Sequence, residues 1–240
     1  MYDIQNFGLT DMIQLGSVLR KLGGNADTME EVANRIVRQL HDEITYGQPA
    51  EKACVLARVF KTHAYAELAP ELQSCARAAL GETPPTPEMR CLVLLATAGA
   101  RPEWNSRHQS AGHKAIPLPT VTAVQRLPMI AQLVSQLGFD VNALLDSGSK
   151  VVLDVEHSDF NVFHVAEAAG SPHVPAQEEF VLRYGVRSVL GFGGLLPPRD
   201  LFAVILFSKA AIPRETAELF KTLALSAKLA LVPFWERIFH

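Results

Sequence analysis

Three histidines, His157, His164 and His173, stand seven and nine residues apart in the second half of the chain. A zinc site needs neutral imidazoles converging at about 2 Å on one ion. None of these pairs has the four-residue spacing that stacks two side chains on one helix face, and no acidic residue stands at a diagnostic offset. Metal or haem ligation is therefore not expected, and the cofactor is unknown. His164 is expected either to be packed and hydrogen-bonded or to contact a ligand. Lys61 and His63 lie two apart and so share one face of a strand. They either meet an anionic ligand or end a solvated strand, and burial decides between the two. Arg187 opens another strand, where it either contacts a ligand or pairs with a nearby carboxylate. Trp104, Asn105 and His113 occupy a polar connection and carry the same two readings. Gly191-Phe-Gly-Gly194 is a poor phosphate loop, because a phosphate loop presents its amides at a helix N-terminus after a strand. Here the glycines lead into another strand, where they permit a bulge or the close approach of a neighbouring backbone.

The 240 residues suit one large domain or two small ones, and one is expected. Twenty-two Lys and Arg against 25 Asp and Glu give a net charge of −3, which disfavours a dedicated nucleic-acid-binding module. A hydrophobic content of 48% excludes wholesale disorder. Cys54, Cys75 and Cys91 are odd in number and form no Cys-x-x-Cys pair, so neither a disulfide framework nor a structural zinc site is expected. Each sits in an apolar or helical context, where cysteine behaves as a small hydrophobe rather than a nucleophile. Ser158-Asp159-Phe160 lacks the glycines of a nucleophile elbow. No apolar run is long enough to span a membrane, and no basic segment precedes an apolar one at the start. A soluble protein of the reducing cytoplasm is expected.

The elements that must position these residues follow from periodicity. Residues 1–45 predict two helices. The first has Thr10 as N-cap, a stripe from Leu9 to Leu22, and a stop at Gly23-Gly24-Asn25. The second starts on a capping box, Asp27 with Glu30 or Thr28 with Glu31, and repeats Met29, Val32, Ile36, Val37, Leu40 and Ile44. Ala53 to Tyr65 reads as a strand with Val55, Ala57, Val59, Lys61 and His63 on one face and Leu56, Arg58, Phe60 and Thr62 on the other. Leu68 to Leu80 is helical, Cys91 to Ala98 is a buried strand, and Lys114 to Leu118 is an edge strand around Pro117. Thr120 to Leu137 is a helix that Pro128 kinks or divides. Pro175 to Tyr184 is a short helix. Arg187 to Leu196 and Leu201 to Lys209 form an antiparallel hairpin. A closing helix spans 213–237. Strand, strand, helix, hairpin and helix give an α+β class with an antiparallel sheet.

Tyr184-Gly-Val-Arg-Ser-Val-Leu-Gly-Phe192, followed by the hairpin from Gly194 to Ser208 and the helix from Glu218 to Ala230, resembles the C-terminal half of a GAF domain. Phe160-Asn-Val-Phe-His-Val165 and Gly170-Ser-Pro-His-Val-Pro-Ala-Gln177 are similar to segments of GAF-like input modules of bacterial sensor kinases and related regulators. The likeness extends more loosely back to about residue 28. It implies one GAF-like unit over 1–240, with N- and C-terminal helices packed on one sheet face and a ligand pocket under loops and helices on the other. The crossing segments would be Trp104 to Leu118 and Phe160 to Pro175. That places Lys61, His63, Trp104, Asn105, His113, Phe163, His164 and Arg187 as ligand contacts. The methionine sulfoxide chemistry of some GAF-fold proteins does not carry over, since Cys54 and Cys91 lie on strands rather than loops. The implied function is signal transduction: a sensor binds a small molecule and alters a homodimer formed through its terminal helices, or a contact with a signalling partner protein. Leu229 to Trp235, with Ile238 and Phe239, is apolar enough for such pairing. No output segment precedes His240, so the chain either signals by association or is a fragment. Two other readings stay open, an enzyme with a redox or hydrolytic pocket working through His164 or a cofactor, and an interaction scaffold with an empty pocket.

Overall fold

The computed structural model of the chain describes residues 1–146 and 161–239. Along the chain run β1 (Tyr2–Asp3), α1 (Leu9–Lys21) and α2 (Met29–Glu43). Of the two candidate caps for α2, Thr28 serves: its Oγ accepts from the Glu31 amide, while the Glu31 carboxylate accepts from the Asp27 amide at 2.9 Å. Ile44 was expected to close this helix and instead opens β2 (Ile44–Tyr46), where it pairs with Tyr2. Two successive β-branched residues, Ile44 and Thr45, favour that change of period. Then come β3 (Glu51–Lys52), β4 (Cys54–Ala64), α3 (Pro70–Leu80), β5 (Arg90–Gly99) and β6 (Ala115–Leu118). The third helix starts two residues later than periodicity suggests, because Ala69 precedes Pro70 and is held extended at ψ 151°.

Pro128 divides the mid-chain helix into α4 (Val121–Gln125) and α5 (Pro128–Gln136), and Asp140 caps a further short α6 (Val141–Leu145). β7 (Val162–Val165), a π-helical segment at Gln177–Leu182, β8 (Ser188–Leu196), β9 (Asp200–Ser208) and α7 (Arg214–Leu231) complete the chain. His157 and Ser158-Asp159-Phe160 lie outside the described residues.

Six strands form one sheet in the order β6-β5-β4-β9-β8-β7, every neighbouring pair antiparallel. The proline-bearing β6 takes an edge, where a missing backbone donor is harmless. β5 is buried along its whole length, which explains an unbroken apolar run in place of alternation. In the hairpin, Gly193 is required by proximity: a Cβ there would stand 2.1 Å from the Phe202 carbonyl oxygen. The expected close approach of a backbone is thus the reason for that glycine.

The two sheet faces are covered differently. α2 lies over β4 and β5, α7 lies over β7 and β8, and α1 packs on α7. Phe220 of α7 anchors this side between Phe7 and Phe192, at ring separations of 5.2 and 5.5 Å. Gly23 lets the end of α1 approach α7, since a Cβ would lie 3.0 Å from the Ala230 carbonyl oxygen. Carbonyls of Arg237 and Ile238 accept from the Met29 and Glu30 amides, so the segment after α7 satisfies the exposed N-terminus of α2. On the opposite face α4, α5, α6 and the segment before β8 enclose a second core around Phe60, Leu92, Leu133 and Phe163. Helices from both chain ends on one face, with loops and helices on the other, is the arrangement that the sequence implied.

β4 departs from the expected alternation in one place. A register irregularity between Cys54 and Leu56 turns Val55 into the second core, beside Leu56 and Phe60, while Ala57 and Val59 face the terminal helices. Where β4 and β9 part, the gap is filled by ions. Asp200 accepts from Lys61 at 2.5 Å and from Arg90, and Thr62 accepts from both Arg90 and the Leu201 amide at 2.9 Å. Lys61 is only 2% exposed. Burial lowers its pKa despite the opposing attraction of Asp200. Removing Asp200 would strand two cations in the interior. Asp200→Asn is expected to cost on the order of 3–5 kcal/mol. Lys61→Met, which leaves a neutral Arg90–Asp200 pair, should cost clearly less. Urea unfolding of the two variants checks the order.

Candidate ligand-binding site

Between the sheet and α5 lies a cavity of about 210 Å³. β4 supplies Phe60 and Arg58 to its floor, β5 supplies Leu92, and β9 supplies Ile205 and Phe207. The start of α5, from Leu127 to Leu133, forms one wall, and His113, Ile116, Pro172 and Pro175 close the sides. The two crossing segments expected from the sequence therefore both reach the cavity, at His113 and Ile116 and at Pro172 and Pro175. The volume is below the usual 300–1,000 Å³ of a drug-sized pocket and suits a compact molecule.

The polar groups are few and poorly matched to one another. Arg58 is the only fixed charge among the described lining residues, and none of those residues is a carboxylate. Its guanidinium reaches Ser110 with one long bond, Nη2 to Oγ at 3.4 Å, and its buried Nε has no hydrogen-bond partner. Burial pulls its pKa down to about 10. Thr97 stands directly across from Arg58 in the β4–β5 register, so their side chains share a face. Its Oγ is also buried without a partner, but the residue is 0% exposed and does not line the cavity. His113 stands at the rim in a left-handed conformation, φ 63°, and is open to solvent on one side. Partial burial and then the Arg58 charge lower its pKa.

Of the eight ligand contacts expected from the sequence, His113 alone lines this cavity. Lys61 and His63 share a face as expected, but it is the face opposite. Lys61 is tied to Asp200, and His63 stacks on Phe239 at 6.0 Å. The strand parity that paired them with Ala57 and Val59 also carried them to the terminal-helix side. Trp104 packs edge-on against Tyr184 and Phe180, at 4.8 and 5.6 Å, and covers Gly99 rather than a ligand space. Asn105 clamps a turn through its bonds to Gly99 and Arg101. Phe163 is wholly buried against Gly191. His164 projects to the other face, where its Nε2 donates to the Ile212 carbonyl at 3.0 Å. Arg187 is exposed, and its backbone rather than its side chain holds Ser208 and Ala168. Arg58 is the residue that the sequence reading passed over. Its signal was present: one cation on a strand face otherwise made of Leu56, Phe60 and Thr62.

A second, polar depression of about 580 Å³ opens beside α2 and includes Asn105, Arg38, Lys52 and Lys209. Its one carboxylate, Asp42, is already bonded to Lys52 and His41 at 2.6 and 3.0 Å. Among the described residues no group of three or more His, Cys, Asp or Glu is placed to hold a metal ion. Burial pushes the thiols of Cys54 and Cys91 up to about 12 and 11, so neither ionises near neutrality. No helix among the described residues is long and apolar enough to cross a membrane.

A six-stranded antiparallel sheet in this order, with helices from both chain ends on one face and a cavity under loops and helices on the other, is the α+β arrangement that the GAF resemblance implied. No protein-family model matches the chain, and no curated protein matches it. Among solved structures it is similar to the GAF domain of an Acinetobacter phosphoenolpyruvate-protein phosphotransferase, at 10% identity and a TM-score of 0.44, covering 91% of both chains. It is also similar to the phycoerythrobilin-bound GAF domain of a cyanobacterial phytochrome, at 9% identity and a TM-score of 0.39, covering 95% of this chain and 96% of that one. A third likeness is to the chromophore-binding domain of an unusual bacteriophytochrome from R. palustris, at 9% identity and a TM-score of 0.41. It covers 95% of this chain and 63% of that one.

His63 gives the site region a pH signature that is separate from the cavity. Its burial, joined by the Lys61 charge, lowers its pKa to about 3. In the unfolded chain the imidazole titrates near 6.5. Below that pH the unfolded state binds a proton that the folded state refuses, so stability falls as pH drops from about 6.5 toward 3. Between pH 7 and pH 5 this group should account for about 2 kcal/mol of lost stability. His63→Phe, measured by urea unfolding at both pH values, should remove that part of the loss.

Proposed function

We propose that the chain is a cytoplasmic sensory module in which the cavity between β4, β9 and α5 binds a small molecule. The observation that carries this reading is the cavity itself, a partly open, mainly apolar space whose lining holds two polar side chains, Arg58 and His113. It binds rather than transforms its ligand: the buried thiols are held protonated, and the cavity rim offers a single histidine. β9 links the cavity to the opposite face, because Ile205 and Phe207 line the cavity while Val204 and Leu206 belong to the core under the terminal helices. A ligand that favours one position of β9 thereby favours one packing of α7 and α1.

The output of that change is a homodimer made by the terminal helices, or a contact of the same surface with a signalling partner. Leu9 and Ile13 of α1, and Leu225 and Leu229 of α7, are 42–66% exposed. Each pair has the four-residue spacing that places both side chains on one helix face. Trp235 follows in the adjoining turn and is 45% exposed. Large apolar side chains grouped on two packed helices are the composition of an interface.

Toluene, neutral and compact, is expected to raise the thermal midpoint and to shift amide resonances of β4, β9 and α5. Leu133→Trp, which fills the cavity, should abolish both effects in a folded protein. Unchanged resonances in the wild type, together with no binding of 4-methylbenzoate or 4-methylbenzyl alcohol, would remove the cavity from consideration as a ligand site. The interface is checked separately by sedimentation at micromolar concentration. The wild type should run as a dimer, with Leu229→Asp and Trp235→Ala shifted to monomer; a wild type already monomeric overturns the dimer.

A further inference from the structure

We propose that the molecule taken by this cavity is an organic carboxylate with a compact apolar body, its carboxylate held by Arg58. The inference rests on the reading that the cavity is a ligand site and adds the chemical class of the ligand.

A guanidinium placed in an apolar wall loses much of its hydration, and proteins restore the balance with a carboxylate partner. The chain does this elsewhere, since Asp200 serves both Lys61 and Arg90. At Arg58 no acidic residue stands in the described lining, and the only bond is the long one to Ser110. Ser110 is itself engaged, its Oγ donating to the Gly112 carbonyl at 2.8 Å. Arg58 Nε is therefore a buried donor without an acceptor.

One planar carboxylate supplies that guanidinium with a counter-charge. Its two oxygens accept from the guanidinium fork, the geometry that arginine provides and lysine does not. Phe60, Leu92, Ile205 and Phe207 then receive the rest of the molecule. A cationic ligand would meet Arg58 as a like charge. A neutral one would leave the guanidinium without its counter-charge. Phosphorylated or otherwise multiply charged molecules are disfavoured by the apolar walls.

The test compares three probes with one body, 4-methylbenzoate, 4-methylbenzyl alcohol and 4-methylbenzylamine, by calorimetry and saturation-transfer NMR on the full chain. The carboxylate should bind about 10- to 100-fold more tightly than the alcohol, and the amine should not bind. Arg58→Met should reduce the carboxylate to the level of the alcohol. Arg58→Lys should recover only part of the loss. If Arg58→Met fails to fold, Arg58→Lys and the three-probe ranking on wild type still decide the question. If the alcohol binds and the carboxylate binds no better, the carboxylate class is overturned and the cavity stands as a ligand site. If neither binds and toluene also leaves the cavity resonances unmoved, the cavity reading itself fails.

Discussion

The constraint on which the molecule depends is that β4 runs through the middle of a sheet covered on both faces, yet carries three basic side chains. Because β5 and β9 flank the strand, Lys61 and His63 are buried and Arg58 is partly buried. Each is accommodated in a different way. Lys61 is neutralised by Asp200, which arrives from the start of β9 and simultaneously holds Arg90 of β5. His63 is kept uncharged, pressed against Phe239. Arg58 has no counter-charge among the described residues, and it stands at the wall of the cavity. The same strand thus provides a fixed point for the sheet on one face and the polar end of a pocket on the other.

On the proposed reading, those two faces are coupled through side-chain alternation. Consecutive residues of β9 touch the cavity and the terminal-helix core in turn. α7 is packed on the sheet through Phe220 and on α1 at positions where glycine permits close approach. The segment after α7 then ties back to the first turn of α2.

Much of the architecture was legible in the residues. Capping boxes, the apolar run of β5, the proline-marked edge strand and the hairpin all follow from local chemistry that acts within a few positions. Ile44 and Ala69 show where local reasoning is overruled, the first by pairing with Tyr2 and the second by the proline that follows it. The site was much less legible. Histidine, tryptophan and asparagine drew attention as reactive or polar types, but Trp104 and Asn105 hold a turn and His164 bonds a carbonyl leading into α7. Type alone does not say which face a side chain occupies.

By itself the sequence determined the order of elements, the placement of Lys61 and His63 on one strand face, and the presence of enough apolar surface for a double-sided core. Periodicity carries that information because it reports which residues share a side. Tertiary structure decided which side faced the helices and which faced the cavity, and so which cation met a carboxylate. The physical reason is that counter-charges come from distant parts of the chain: Asp200 lies 139 positions from Lys61 and 110 from Arg90. Whether a buried charge is paired or left for a ligand is settled only when those segments meet.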